Sequence, residues 1–115
     1  MNRIVNLTQH NASQEQIAEG VFDLQDSIEL KALLTIEVLP TPDDLFHRAC
    51  SIVQLALDQD VEYAMIGGAP YLMSTLEAEL KNVGIQPLYA FTQRVVTEQD
   101  AVKTATFKHE GFVSA

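Results

Sequence analysis

One stretch limits the possible folds more than any other: Val61 to Gly84, VEYAMIGGAPYLMSTLEAELKNVG. It opens on an apolar run rich in β-formers (Val61, Tyr63, Ala64, Met65, Ile66), the pattern of a strand buried on both faces. Gly67 and Gly68 then make a turn without side chains, and Pro70 suits the first position of a helix, where its missing N–H costs nothing. Leu72, Met73, Leu76, Leu80 and Val83 keep helical spacing, and Gly84 stands where a helix stops. Strand, glycine turn and helix form half of a parallel α/β unit. Such a unit points free backbone N–H groups outward at the C-terminal end of a sheet strand, where open α/β sheets bind ligands.

The rest of the chain reads around that unit as one domain over residues 1–115. Arg3 to Leu7 is a short first strand, and Thr8 to Ala12 is polar loop. Ser13 and Gln16 are spaced as a capping box, which predicts a helix from Gln14 to Gly20. Val21 to Leu24 is a short strand, and Ser27 caps a second helix carrying Ile28, Leu30, Leu33 and Leu34. Thr35 to Leu39 alternates and reads as either a strand or an extended connector, ended by Pro40. Thr41-Pro42-Asp43-Asp44 starts the longest helix, to about Asp58. After the central unit, residues 88–96 and 102–113 are β-rich and separated by a polar loop, which predicts a closing hairpin. The expected fold is a three-layer, Rossmann-like α/β domain with a mainly parallel sheet and a C-terminal β-hairpin. Domains of this size and kind often pair across an edge or a helix face, so a homodimer is expected.

Charge narrows the partners. Sixteen acidic residues against seven Lys and Arg give −9, which argues against long DNA or RNA, since those are held by clustered cations. An anionic ligand must then be small, held by backbone amides and one or two local cations. No apolar run approaches the roughly 18 residues of a membrane span, and MNRIVNLTQH lacks the features of a secretory signal. The single Cys50 permits no internal disulfide and fits the apolar helical pattern as a small buried residue, so a cytoplasmic setting is expected.

Two polar turns follow the two central strands. The first is Asn6-Leu7-Thr8-Gln9-His10-Asn11, and the second is Gly67-Gly68-Ala69-Pro70-Tyr71. If the strands are parallel neighbours, the turns meet at one edge and together orient a phosphate or another polar small molecule. The glycines read equally as the requirement of a tight β-to-α connection. GGAP is neither a Walker loop nor a dinucleotide fingerprint. His10 is the candidate general acid or base, or else an exposed or capping histidine; His47 belongs to the surface of its helix, and His109 sits on the last predicted strand. No spacing supports a metal site or a cofactor, and no nucleophile elbow occurs. The metal-independent reaction demanding least of a protein is attack by an RNA 2′-hydroxyl on its own phosphodiester, which needs alignment, charge stabilisation and a moved proton.

The run NLTQHNASQEQ resembles the first-strand motif N-x-[ST]-x-H-x-x-[ST]-x-E-Q of small CRISPR-associated proteins of the ring-nuclease group, and of their relatives in phages and prophages. MIGGAPYLM, PLYAFTQR and TATFKHEGFV look like the rest of the phage-type group. The resemblance implies a Rossmann-like, CARF-like and usually dimeric domain that takes cyclic oligoadenylate or a similar small nucleotide at its dimer interface. It would cleave or sequester that messenger and so damp an immune response. By position, Asn6, Thr8 and His10 match the first motif, and Gly67, Gly68 and Pro70 the second turn. The expected ligand contacts are Asn6, Thr8, Gln9, Gly67, Gly68, Ala69, Pro70, Tyr71, Arg94 and His109, with His10 catalytic and Tyr71 stacking or positioning. A non-catalytic sponge for the nucleotide and a protein-binding antagonist are the alternatives.

Overall fold

In the computed structural model, which describes residues 2–115, a five-stranded sheet has the order β2-β1-β3-β4-β5. The elements in chain order are β1 (Ile4–Leu7), α1 (Gln14–Ala18), β2 (Val21–Asp23), α2 (Ile28–Leu34), α3 (Pro42–Leu57), β3 (Tyr63–Ile66), α4 (Pro70–Asn82), β4 (Gln86–Gln99) and β5 (Val102–Ser114). The first four strands are parallel and β5 is antiparallel to β4. The mixed α/β sheet and its closing hairpin are thus those expected.

Alternation along β1 divides the core. Val5 and Leu7 face α2, α3 and α4, where they pack with Leu30, Ile52, Ile66, Leu72, Leu76 and Leu80, all at most 2% exposed. Ile4 faces the other way, into a smaller cluster with Val21, Met65 and Leu88, flanked by Ala12, Tyr63 and Phe112. The third layer is therefore thin: α1 has five residues, none of them buried.

Caps set most helix starts. Ser13 Oγ accepts from Gln16 N, and Gln16 Oε1 accepts from Ser13 N, completing the capping box. Thr41 Oγ1 accepts from Asp44 N at the head of α3. Ser27 does not cap α2 with its side chain; Asp26 does the work, its carboxylate accepting from Ile28 N at 3.0 Å. Cys50, expected to be buried, is only half-buried, on the flank of α3. Thr35 to Leu39 is an extended connector and pairs with no strand. Arg48 fixes it: one guanidinium nitrogen donates to the carbonyls of Ala32, Leu33 and Thr35 while Nε donates to Asp44. Gly84, at φ +80°, turns the chain left-handed after α4.

The hairpin is longer than the sequence indicates. β4 pairs with β3 only over Gln86 to Tyr89, but with β5 from Leu88 as far as Gln99. Asp100 and Ala101, at φ 53° and 64°, form a two-residue turn of the primed kind that fits strand twist. The ends of both strands therefore stand clear of the sheet as an arm. A compact chain of this length has a radius of gyration of about 13 Å; the observed value is 15.7 Å.

Leu76, fully buried at the centre of α4, should be among the costliest truncations. Leu76→Ala is expected to lower unfolding free energy by about 2–5 kcal/mol in urea denaturation, whereas a loss below about 1 kcal/mol would contradict this packing.

Candidate functional site

β1 lies between β2 and β3. Its own connection leaves toward β2, while that of β3 leaves toward β4. Connections that diverge from neighbouring parallel strands open a crevice beyond their C-terminal ends. β1 and β3 end in register, Leu7 beside Ile66, so the Thr8–Asn11 loop and the Gly67–Ala69 turn emerge side by side. They line one cavity of about 680 Å³, with Ser13 and Gln16 of the α1 cap and with Leu34, Met65, Ile66, Tyr89 and Ala90.

The loop takes its shape from Asn6. This side chain is 4% exposed and makes four hydrogen bonds, its full capacity. Nδ2 donates to the His10 carbonyl and to Asp23 Oδ1, both at 2.7 Å; Oδ1 accepts from Thr8 N at 2.9 Å and from Thr8 Oγ1 at 2.7 Å. Asp23 also accepts from Ala12 N, so β2 holds both ends of the loop. Asn6 thus positions Thr8, Gln9 and His10 and has no group left for a ligand. His10 lines both the cavity and the small recess beside it; among the described residues its hydrogen bonds run through its carbonyl, to Asn6 and Thr8.

The glycine turn meets this loop directly. A Cβ built on Gly67 would lie 3.6 Å from the Thr8 methyl, an ordinary contact, and Gly67 has no positive φ. The fold would accept a side chain there, so bare backbone at this point opens the cavity rather than relieving strain. Ala69 caps α4 without a side-chain hydrogen bond, unlike Ser13 on α1 and Thr41 on α3. In that first turn Pro70 has no N–H, and the Leu72 and Met73 amides both donate to the Ala69 carbonyl, which leaves the Tyr71 N–H; the helix dipole favours an anion at an exposed end by about 0.3–1 kcal/mol.

The other expected contacts lie elsewhere. Pro70 and Tyr71 start α4 outside the cavity wall, and Tyr71 lines a separate groove with Val38 and Leu39. Arg94 is exposed on the hairpin arm. His109 is buried, with Nε2 3.1 Å from Glu19 Oε2 and its ring edge-on to Phe112. Among the described residues no Lys or Arg lines the cavity, although Lys31 lines a small polar recess beside it. Tyr89 is a wall residue the sequence did not single out. Its hydroxyl donates to Glu77 at 2.5 Å, and burial, then that bond and the carboxylate charge, push its pKa far above the usual phenol value. Asp23 also went unmarked, since a lone acid ending a three-residue strand carries no motif.

Among the described residues no group of three His, Cys, Asp or Glu is placed to hold a metal, and no helix is long and apolar enough to cross a membrane. Fold and cavity together define a Rossmann-like α/β protein with an open cavity at its switch point. The chain belongs to the MJ1673 family of uncharacterised proteins, whose pattern matches residues 2–113. No curated protein and no solved structure matches it.

If Asn6 holds the loop, Asn6→Ala should cost about 3–6 kcal/mol, from about 0.5–1 for each of the four hydrogen bonds lost and about 1–2 for the Thr8 N–H left unpaired. Urea denaturation reads this; an effect under 0.5 kcal/mol would mean that the loop keeps its shape without it.

Proposed function

We propose that the protein binds a small nucleotide, cyclic oligoadenylate or a close analogue, in the switch-point cavity and cleaves it without a metal. The observation that carries the reading is the convergence of the His10 loop and the bare Gly67–Gly68 turn on one cavity beside a helix start without a side-chain cap. The size, about 680 Å³, lies within the roughly 300–1,000 Å³ of small-molecule sites. Backbone amides suit a phosphate in a protein of charge −9, because they add partial positive charge without competing acids. The resemblance of NLTQHNASQEQ to the ring-nuclease motif supplies the ligand class and the setting, the damping of type III CRISPR or related nucleotide-signalled immunity in the cytoplasm.

In this reading Thr8, Gln9 and the turn amides orient one phosphodiester, and His10 takes the proton of the adjacent 2′-hydroxyl. The 2′-oxygen bonds to phosphorus, the 5′-oxygen leaves and takes a proton from water, and a linear product with a 2′,3′-cyclic phosphate results. One observation favours the non-catalytic alternative: among the described residues the hydrogen bonds of His10 are made by its carbonyl and none by its ring, which lacks the partner that usually sets a catalytic histidine. A sponge needs only the cavity.

Incubation with cyclic tri-, tetra- and hexa-adenylate, followed by mass analysis, tests this. The wild-type protein should yield linear products, and His10→Ala should slow turnover about 10²–10⁴-fold while affinity changes only a few-fold. Bound but intact ligand would leave the sponge; no binding of any ring would overturn the nucleotide reading altogether.

A further inference from the structure

Beyond Ala90 the β4–β5 hairpin has nothing packed on it over most of its length. Eight cross-strand pairs, Thr92↔His109 through Gln99↔Val102, form a ribbon about 27 Å long at 3.4 Å per residue. Fifteen of these sixteen residues are exposed or half-exposed, His109 at the base being the exception. A two-stranded ribbon is marginal on its own in water, and exposed strand edges invite pairing with another chain. Along one face the pairs Val96↔Ala105 and Arg94↔Phe107 put three apolar side chains beside one cation, with Val96 54% and Phe107 73% exposed.

An apolar groove complements that face. Ile36, Val38, Leu39, Pro40, Leu45 and Tyr71 line a depression of about 570 Å³ between the α2–α3 connector and the start of α4. Leu39 is 95% exposed although Arg48 pins the connector that carries it. Groove and arm lie toward the same end of the sheet as the cavity, since α3 and α4 start there and the arm continues from Tyr89 and Ala90 in the cavity wall.

Charge selects the occupant. Residues 91–109 hold three of the seven basic side chains and two of the sixteen acidic ones, a net +1, which leaves −10 on the rest of the chain. Two bodies meeting face to face would set −10 against −10. An arm laid on a second body instead places the only cationic stretch against the acidic surface. One face of the arm gives eight residues and the groove, with Glu37, seven, so each copy would contribute about fifteen, toward the small end of specific interfaces.

We infer that this chain forms a two-fold dimer in which each arm lies across the cavity end of the other copy, its Val96–Phe107 face in the groove of Val38, Leu39 and Tyr71. The family resemblance implies a dimer but no surface, whereas this surface follows from the arm, the groove and the charge. It stands whether or not the cavity takes a nucleotide. It also places a second chain at the cavity rim, where a ring of several nucleotides would project.

Sedimentation velocity of the ligand-free full chain between 1 and 100 μM tests it. The wild type should sediment as a species of about twice 12.7 kDa at the higher concentrations. Phe107→Glu on the arm and Leu39→Glu in the groove should each weaken the dimer, shifting the midpoint at least tenfold, with the far-UV circular dichroism spectrum unchanged because both side chains are exposed. A wild type monomeric at 100 μM would overturn the inference. So would a dimer indifferent to either folded variant.

Discussion

The buried amide of Asn6 is the interaction on which the functional end of this protein rests. Its donors and acceptors are all used, and each joins β1 to something that must otherwise find its own place: the carboxylate of β2, or the loop that follows β1. A buried amide left unpaired is costly, and a fully paired one allows few alternative geometries. One side chain in the second-last position of a four-residue strand thus fixes where Thr8, Gln9 and His10 emerge.

What those residues emerge toward is set by strand order. With β1 beside β3 and their connections departing in opposite directions, the loop and the glycine turn face a shared crevice. The electrostatics follow from the same arrangement. Among the described residues no Lys or Arg lines the cavity, so in the proposed reading an anion would be held by backbone N–H groups of the loop and the glycine turn, within a strongly acidic chain. The fourteen acids of the body would repel a long polyanion.

Much of this was legible in the sequence because it depends on local chemistry. The strand–glycine–helix unit, the Ser13–Gln16 capping box and the Thr41-Pro42 start each encode their structure within a few residues, and each folds as read. The convergence of the two turns also followed, given parallel neighbours. What escaped depends on contacts distant in sequence. Asp26 displaces Ser27 as a cap because both are capping types one residue apart, and only tertiary geometry separates them. Asp23 and Tyr89 matter through partners 17 and 12 residues away, at Asn6 and Glu77. Arg94 and His109 could be assigned to strands but not to positions along them: the hairpin outruns the sheet, carrying Arg94 away, and His109 turns to Glu19. His109 and Glu19 lie 90 residues apart.

The central claim is that two loops distant in the chain act as one binding surface. The most direct measurement is a titration of isotope-labelled protein with cyclic tetra-adenylate, following backbone amide shifts by NMR. The account predicts that the amides of Thr8–Asn11 and Gly67–Ala69 move together along one binding curve, while those of the last turns of α3, at the opposite end of the sheet, move little. Shifts confined to one of the two segments, or centred on other elements, would contradict it.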